Sequence, residues 1–452
     1  MPGKWTRRAF VGSAAAAGLL GPTLATAKKL DGAPNILFIL VDQLRAHALS
    51  LYGEKNIETP VFDGLLSGGA HFTRSYSSNP VCAPARAALL SGLYAHASGV
   101  YKNNIQLPLR TKTIAASLRK AGYATGYIGK WHLDEVDEHP GFVPLNRRFD
   151  HEYWAAYNSA HFWRRSGYYT DSPKLIRPKP ADRWEPEYQV DLAVAYMEKK
   201  RAKPFYLTIS FGPPHPPGAG NSHPWEEHLP PEFWAKVDPK ALTFRDNVPK
   251  DKRGKAAHHM RGYYASILAL EKSVDRLLKD VPANTLVVVT ADHGEMGGSH
   301  GAFKKGSPHE EAVRVPLGFR WKGKIAKDTK ITVPISSVDV MPTILGLVGA
   351  KAPGGLHGED LSAWVNGGQG PDRDGVLIQG RMGKNDAWRM MRTRTHIWSQ
   401  SMDGAKQRLY DLRDDPFQQN DLASQDKHRA TKAELKSKMA VLRKRVKDKK
   451  MV

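Results

Sequence analysis

Two pairs of polar residues, Asp42 with Gln43 and Asp292 with His293, each follow an apolar run of the sequence. Together they offer carboxylate and amide oxygens and one imidazole. An oxygen-rich ligand set favours calcium or magnesium over zinc, which prefers thiolates or several histidines. A single aspartate after a strand can instead cap the next helix, so one pair alone would mean little. Two such pairs predict a divalent cation site.

The only cysteine of the chain, Cys82, opens the segment CAPARAALLSG. Pro84 suits a first helical turn, and the alanines and leucines after it propagate a helix, which places Cys82 at a helix N-terminus. There it faces unpaired N–H groups, with Arg86 one turn further along. This environment suits a reactive thiolate or a bound oxyanion. A thiol hydrolase is one interpretation, but it leaves both acidic pairs unused.

Four apolar runs predict the strands that position these groups, at 34–42, 123–130, 204–212 and 284–294. Helical patterns at 113–122 and 261–280 lie between them. Continuous apolar strands that alternate with helices indicate an α/β fold with helices on both faces of a parallel sheet.

Every predicted strand is followed by ionisable or amide side chains. In open α/β sheets the site lies beyond the carboxyl ends of the strands, so these side chains are expected to meet at one rim. They are Asp42 and Gln43, Lys130 and His132, His215, and Asp292 and His293.

Two later segments depart from this rhythm. Residues 137–190 are dense in Tyr, Trp, His and Arg, which indicates a binding loop whose aromatic rings stack on sugars or pack onto the sheet edge. Residues 366–452 predict a smaller α+β subdomain with short strands and a basic terminal helix over 427–450. The large catalytic α/β domain is then expected over 28–365.

The composition describes a water-soluble enzyme, with 41% hydrophobic and 25% charged residues in 452. Lysine and arginine total 67 against 45 acids, a net charge of +22, which suits an anionic surface or substrate. Neither RNA-binding aromatics, zinc-finger spacing nor basic-zipper heptads accompany this charge, so no nucleic-acid partner is expected.

The first 27 residues have the pattern of a twin-arginine signal peptide. Arg7 and Arg8 precede a short apolar stretch, and Ala25–Ala27 form a small-residue cleavage site. We expect export by the twin-arginine machinery to the periplasm or beyond, with a mature charge of +19. The apolar stretch is too short to span a bilayer and no cysteine lies near the cleavage point, so no stable membrane anchor is expected.

Five motifs resemble, in order, those of the type I sulfatases, which belong to the alkaline-phosphatase-like superfamily. Cys82–Arg86 matches the C-x-P-x-R motif, whose cysteine is oxidised to Cα-formylglycine. The other four are GYATGYIGKWH (122–132), ADHGEMGGSHG (291–301), KKGSPHEEAVRVPL (304–317) and LYDLRDDPFQQNDLA (409–423). The resemblance covers residues 33–425 and implies a large, mainly parallel mixed sheet between helices, with a smaller C-terminal subdomain.

The resemblance also implies a metal ligand set. Asp42, Gln43, Asp292 and His293 would bind calcium together with modified residue 82, with magnesium as the alternative. Gln43 stands where many relatives have a second aspartate, and His293 where some have asparagine. Both differences reduce the negative charge of the site.

The sulfate itself would be held by cationic side chains. The resemblance implies that Arg86 holds the hydrated aldehyde and that Lys130 and Lys305 contact sulfate. Lys304 is the neighbouring alternative, but counting back five residues from Glu310 favours Lys305.

The implied reaction is the hydrolysis of a sulfate ester after a maturation enzyme has generated formylglycine at Cys82. One hydroxyl of the aldehyde hydrate attacks sulfur and forms a covalent sulfated intermediate. His132 deprotonates the second hydroxyl, which expels sulfate, and His215 helps to protonate the leaving alcohol. A serine or an unmodified thiol lacks the second hydroxyl.

Two other activities fit parts of this pattern. A phosphonate monoester or phosphodiester hydrolase of the same superfamily can use the same nucleophile, and an inactive binder of sulfated glycans would explain the charge alone. The aromatic, basic insertion and the +19 mature charge favour a sulfated glycan as the substrate over a small aryl ester.

Overall fold

A computed structural model describes residues 32–134, 141–218 and 224–449 of the chain, so the signal peptide predicted at 1–27 lies outside the described residues. The strands are β1 (Asn35–Val41), β2 (Ala70–Phe72), β3 (Ser75–Tyr76), β4 (Ala124–Lys130), β5 (Tyr153–Tyr157), β6 (Phe205–Phe211), β7 (Thr285–Ala291), β8 (Leu317–Trp321), β9 (Thr329–Ile331), β10 (Ile335–Ser336), β11 (Gly375–Gly380), β12 (Trp388–Thr393), β13 (His396–Ser401) and β14 (Gln407–Asp411). The α-helices are α1 (Pro60–Ser67), α2 (Cys82–Ser91), α3 (Ala95–Ser98), α4 (Ile114–Lys120), α5 (Glu185–Met197), α6 (Trp225–His228), α7 (Pro231–Ala235), α8 (Arg253–Lys279), α9 (Glu310–Val313), α10 (Val340–Leu347), α11 (Ser362–Val365) and α12 (Arg429–Arg445).

Eight strands form one large sheet in the order β5-β4-β6-β1-β7-β8-β2-β9. The run from β5 to β7 is parallel, whereas β8 is antiparallel to both of its neighbours. Strands β11 to β14 form a separate antiparallel sheet. The predicted α/β class and the C-terminal antiparallel sheet are therefore confirmed, while the domain boundary at 365 stays a prediction.

The central strand β1 shows why its sequence is apolar without interruption. Leu37, Ile39 and Val41 enter one core, which also contains residues of α1, α5 and α8. The residues between them enter a second core with α2, α4 and α10 on the opposite face. Since successive side chains of a strand point to opposite faces, a strand buried on both sides must be apolar at every position.

The register of the parallel strands brings their carboxyl ends to one rim. Val41 at the end of β1 pairs with Phe211 of β6 and Ala291 of β7. Gly129, one residue before the end of β4, pairs with Ser210. The residues that follow these four strands therefore leave the sheet side by side.

The aromatic segment predicted as a binding loop packs largely onto the sheet. Part of it forms β5 at the sheet edge, and residues 137–140 lie outside the described residues. Trp154 stacks on Tyr127 of β4 with ring centroids 5.4 Å apart, and Trp163 is fully buried. Of the two interpretations, packing onto the sheet edge describes these rings.

The basic terminal helix predicted over 427–450 is observed as α12. Its buried side chains are Leu435 and Met439, four residues apart on one face. Lys432 and Lys436 lie over the ring of Trp398 in the antiparallel sheet, at 5.6 and 5.3 Å from its centroid. This is the predicted amphipathic helix. No helix among the described residues combines the length and apolarity needed to cross a bilayer.

Candidate active site

Helix α2 presents Cys82 at its first turn. Val81 before it is extended, and Gly92 ends the helix in the left-handed conformation at φ 67°. The Cys82 side chain is 1% exposed. Its Sγ lies 3.2 Å from His293 Nε2 and 3.9 Å from Asp42 Oδ1. The helix therefore brings the cysteine against residues that follow β1 and β7.

Asp42, Cys82, Asp292 and His293 form one buried cluster whose ligand atoms all lie within 4.8 Å of one another. His293 Nδ1 donates to the carbonyl of Gly294 at 2.9 Å, so Nε2 is the ring nitrogen that faces the cluster and, when it is deprotonated, offers a lone pair there. The tautomer is the one that a metal requires. Two buried carboxylates and an imidazole lone pair fit a divalent cation.

Gln43 occupies a less regular position in this cluster. Its backbone has a positive φ of 65°, a conformation that costs free energy in a residue other than glycine. Its Oε1 accepts a hydrogen bond from Lys305 Nζ at 2.8 Å, and its Nε2 donates to Glu295. The amide oxygen therefore belongs to the same polar cluster as the four residues above.

Arg86 ties the two aspartates together. Its Nε lies 3.1 Å from Asp292 Oδ2 and its Nη2 lies 3.5 Å from Asp42 Oδ2. Nη1 donates to the carbonyl of Lys130 at 2.7 Å and to Ser210 Oγ at 2.9 Å. Among the described residues, the buried Nη2 has no hydrogen-bond partner. A buried guanidinium N–H without an acceptor fits an oxygen on the residue 82 side chain or on a ligand.

Two lysines approach the cluster, Lys130 at the end of β4 and Lys305 in the segment between β7 and α9. Lys130 Nζ lies 2.5 Å from Asp42 Oδ2, and Lys305 Nζ lies 2.8 Å from His215 Nε2. The end of β4 packs closely against β6 because position 129 is a glycine. A Cβ at Gly129 would lie 2.1 Å from the carbonyl oxygen of Ser210. Of the neighbouring pair, Lys305 rather than Lys304 is the one that contacts Gln43 and His215.

The two aspartates divide their charge unequally. Burial raises the pKa of Asp42, but Lys130, Arg86 and Lys305 outweigh burial and hold it well below its usual range. Burial and the Asp42 charge raise the pKa of Asp292 to about 6. Two buried carboxylates this close together cannot both ionise easily. A bound cation would stabilise both negative charges and replace the proton on Asp292.

The Cys82 thiol has an unusual acidity. Burial and Asp42 raise its pKa, but Lys305, Lys130 and His293 outweigh them and lower it to about 5. Cationic side chains therefore favour an anion at position 82 whichever chemical group stands there.

The two predicted catalytic histidines are both neutral. Burial and then Lys130 lower the pKa of His132 well below its usual range, and burial and then Lys305 do the same for His215. His215 Nδ1 donates to the carbonyl of Pro216 at 2.8 Å, so its Nε2 accepts a hydrogen bond from Lys305 Nζ. The Nδ1 of His132 is buried and has no hydrogen-bond partner among the described residues.

Sequence reasoning missed His161 and Glu295. His161 Nε2 accepts from Lys130 Nζ at 3.1 Å, and its ring stacks on that of His215 with centroids 4.1 Å apart. Glu295 accepts from Gln43 and from the backbone N–H groups of Gly297 and Lys304. Glu295 stands in the motif at 291–301, but His161 lies between β5 and α5 with no pattern that marks it.

Comparison with known proteins gives the same family for most of the chain. The sulfatase family matches residues 34–350, and the C-terminal family of N-sulphoglucosamine sulphohydrolase matches residues 298–445. An ulvan-active sulfatase of Formosa agariphila is 32% identical over 423 residues, which are 90% of this chain and 80% of that protein.

Two further relatives agree. An N-acetylglucosamine-6-O-sulfatase of Bacteroides thetaiotaomicron is 26% identical over 406 residues, 73% of this chain and 70% of its own. A sulfatase crystal structure from Bacteroides fragilis is 27% identical with a TM-score of 0.82, and the match covers 92% of this chain and 96% of that one. These relatives favour sulfate ester hydrolysis over the phosphonate and phosphodiester alternative and over an inactive binder. The chain belongs to the sulfatase family and is a sulfuric ester hydrolase.

Proposed function

We propose that this enzyme removes sulfate from a sulfated glycan after Cys82 has been converted to formylglycine and calcium has bound beside it. The observation that carries the proposal is a cluster of side chains at one rim of the sheet, in which Cys82 and two aspartates lie beside three cationic side chains. A sulfate ester resists attack because its oxygens repel nucleophiles, so its hydrolysis needs this density of positive charge.

The ligands of the calcium would be Asp42, Gln43, Asp292, His293 and residue 82. Bound there, the ion would act as a Lewis acid on the sulfate oxygens and on the nucleophile. The hydrated aldehyde would supply two hydroxyls on one carbon, one for attack on sulfur and one for release of sulfate. Both groups fit the buried carboxylates, the imidazole Nε2 of His293 that faces them and the Nη2 of Arg86, which has no hydrogen-bond partner among the described residues.

The side chains of the chain itself divide the remaining work. Lys130 and Lys305 neutralise the sulfate, and Arg86 fixes the substituents of residue 82 through its free Nη2. His132 is neutral, as a general base must be, and accepts a proton from the nucleophilic residue.

Protonation of the leaving alcohol involves Lys305 and His215 as a pair. In the structure the shared proton lies on Lys305, because His215 Nε2 is an acceptor. An anionic ester bound between them offsets the charge that otherwise disfavours an imidazolium, so His215 can take up the proton and pass it on.

The glycan substrate is supported by the relatives and by charge. One relative is named for its activity on ulvan and another for N-acetylglucosamine-6-O-sulfate. The net charge of +22 favours a polyanion. Export is part of this proposal, because the twin-arginine pattern places the enzyme in the periplasm or outside, where polysaccharides are met.

The reaction class is tested with small esters. We expect kcat/KM for 4-nitrophenyl sulfate to exceed that for bis(4-nitrophenyl) phosphate by about 10²-fold or more, because the cationic site can surround three terminal oxygens of a sulfate, whereas the phosphodiester has a second aryl ester in place of one of them. Desulfation of defined sulfated mono- and oligosaccharides then identifies the glycan. A higher rate on the phosphodiester, or no turnover of any sulfate ester, would contradict the proposal.

Adjacent lysines provide a matched pair for the sulfate contact. Lys305→Met is expected to lower kcat/KM for 4-nitrophenyl sulfate by about 10²-fold, because it removes a buried cation from the developing negative charge. Lys304→Met changes the same residue type one position away and is expected to stay within about threefold. Equal losses in the two variants would exclude a specific role for Lys305, and steady-state rates on one enzyme preparation of each decide.

A further inference from the structure

A second strongly basic cavity, which we call the arginine cleft, lies where the large sheet meets the C-terminal subdomain. Its volume is about 830 Å³, and none of its lining residues belongs to the catalytic cluster. Seven lysine and arginine side chains line it, against the two carboxylates of Glu310 and Asp328. The arginines are Arg74, Arg245, Arg314, Arg392, Arg394 and Arg413.

Only some of these charges are neutralised within the protein. Arg392 pairs with Glu310 at 2.8 Å, and Arg245 pairs with Glu311 at 3.0 Å. Arg74 and Arg314 donate to backbone carbonyls, of Thr332 and Thr73, and no carboxylate of the described residues lies within 4.0 Å of either guanidinium. A half-buried guanidinium without an acid keeps its charge available to an anion.

The pKa of His47, a residue that lines the cleft, indicates the electrostatic potential there. Burial lowers its pKa well below the usual range, and Arg245, Arg314, Arg45 and Arg392 lower it further. It accepts from Arg314 Nη1 at 3.2 Å, and its buried Nδ1 has no hydrogen-bond partner in the described part of the chain. A neutral histidine among four arginines, of which Arg314 has no carboxylate of the described residues within 4.0 Å, marks a site of positive potential.

The size and the aromatic content of the cleft narrow the class of ligand. A cavity of this volume holds a ligand much larger than one sulfate ion. The rings of Tyr52 and Phe417 are already covered by Arg314 and Arg245, at 5.5 and 4.9 Å. Stacked bases need free aromatic faces, so the cleft suits a sugar chain with anionic groups better than a single-stranded nucleic acid.

Residues that line the cleft lie close in the chain to residues of the catalytic cluster. His47 follows Gln43 by four residues, so their Cα atoms are at most about 14 Å apart even in a fully extended chain. Arg314 follows Lys305 by nine residues in the same segment. One polysaccharide chain is therefore long enough to reach both places.

We propose that the arginine cleft is a second binding site for sulfate groups of a polysaccharide whose ester is cleaved at the catalytic cluster. This inference rests on the proposed glycan substrate. It assigns Arg74, Arg314, Arg394 and Lys330 to the recognition of sulfate groups that are not cleaved.

The test compares two double variants with the same charge change. Arg394→Glu with Lys330→Glu alters two exposed cations of the cleft, and Arg110→Glu with Lys427→Glu alters two exposed cations elsewhere. At low ionic strength the cleft variant is expected to bind labelled dextran sulfate about fivefold more weakly than the wild type, and the control variant less than about twofold. Both variants should keep the wild-type kcat/KM for 4-nitrophenyl sulfate.

Equal weakening in the two variants overturns the proposal, because it shows that net charge alone matters. Wild-type binding of a labelled single-stranded oligonucleotide as tight as that of dextran sulfate, with the same loss in the cleft variant, overturns the assignment to sulfated glycans. Failure of the proposed function is a separate result: the wild type would turn over no sulfate ester, whereas binding of dextran sulfate would still depend on the cleft.

Discussion

Replacing Cys82 with alanine is expected to lower kcat/KM for a sulfate ester by at least about 10⁴-fold, because the covalent nucleophile is lost. The fold should survive, since alanine is smaller than cysteine and already occupies the neighbouring positions 83 and 85 of the same helix. Cys82→Ser is a sharper variant, because its single hydroxyl could attack sulfur but could not expel the sulfate. It should also fail to turn over.

The chain itself supplies the control for this prediction, because it contains one cysteine. A thiol titration of the denatured enzyme therefore reads the unconverted fraction of residue 82 and nothing else. Specific activity should rise in proportion to the fraction without a thiol, and the mass of the peptide that contains residue 82 should match an aldehyde or its hydrate. Full activity in a preparation with one free thiol per chain would falsify the role of formylglycine.

The residues at the rim of the sheet could be predicted from the sequence, because an apolar run marks each strand and polar residues follow it. The apolar runs before Asp42, Lys130, His215 and Asp292 were long and continuous, and parallel strands deliver their carboxyl ends to one place. The boundaries of the predicted runs agree with those of β1, β4 and β6 to within one residue at every end. The helix that carries Cys82 followed from the proline and the alanines after it.

Other elements carry no comparable local signal. Strands β2 and β9 have three residues each, too few to show a period. Strand β2 is held by pairing with β8, and β9 is held by pairing with β2. His161 reaches Lys130 only because the segment after β5 packs across the rim. The aromatic residues of that segment resembled a sugar platform, but rings such as Trp163 are buried by tertiary packing that composition does not encode.

Asp42→Asn is expected to lower kcat/KM by about 10³-fold and to leave the purified enzyme with less than one calcium per chain. The carboxylate is fully buried and faces Lys130 Nζ at 2.5 Å and Arg86 Nη2 at 3.5 Å. A neutral amide in its place removes the negative charge that would bind the metal and that pairs with both cations. Elemental analysis by mass spectrometry and steady-state rates measure the two effects. Asp182→Asn makes the same change at an exposed position and should alter neither.

Because loss of a buried carboxylate can also unfold a protein, the wild type provides an independent measurement. A calcium chelator should abolish activity and lower the Tm, and added calcium should restore both more fully than added magnesium. Recovery with neither ion, or unchanged activity after the metal content has fallen to zero, would contradict a metal at this cluster.

The same site predicts how calcium affinity varies with pH. Burial and the Asp42 charge raise the pKa of Asp292 to about 6, whereas Lys130 and Arg86 hold Asp42 ionised. Below that pH the metal-free protein carries a proton on Asp292 that calcium must displace. The Kd for calcium should therefore rise by about tenfold or more for each pH unit below 6. Above pH 6 it should continue to fall more gradually, because burial lowers the pKa of His293 but the Asp292 charge outweighs burial and raises it, so the imidazole must also lose a proton before it binds calcium. Titration calorimetry at several pH values measures this slope, and a Kd that is constant from pH 4.5 to 7 would show that Asp292 is not a ligand.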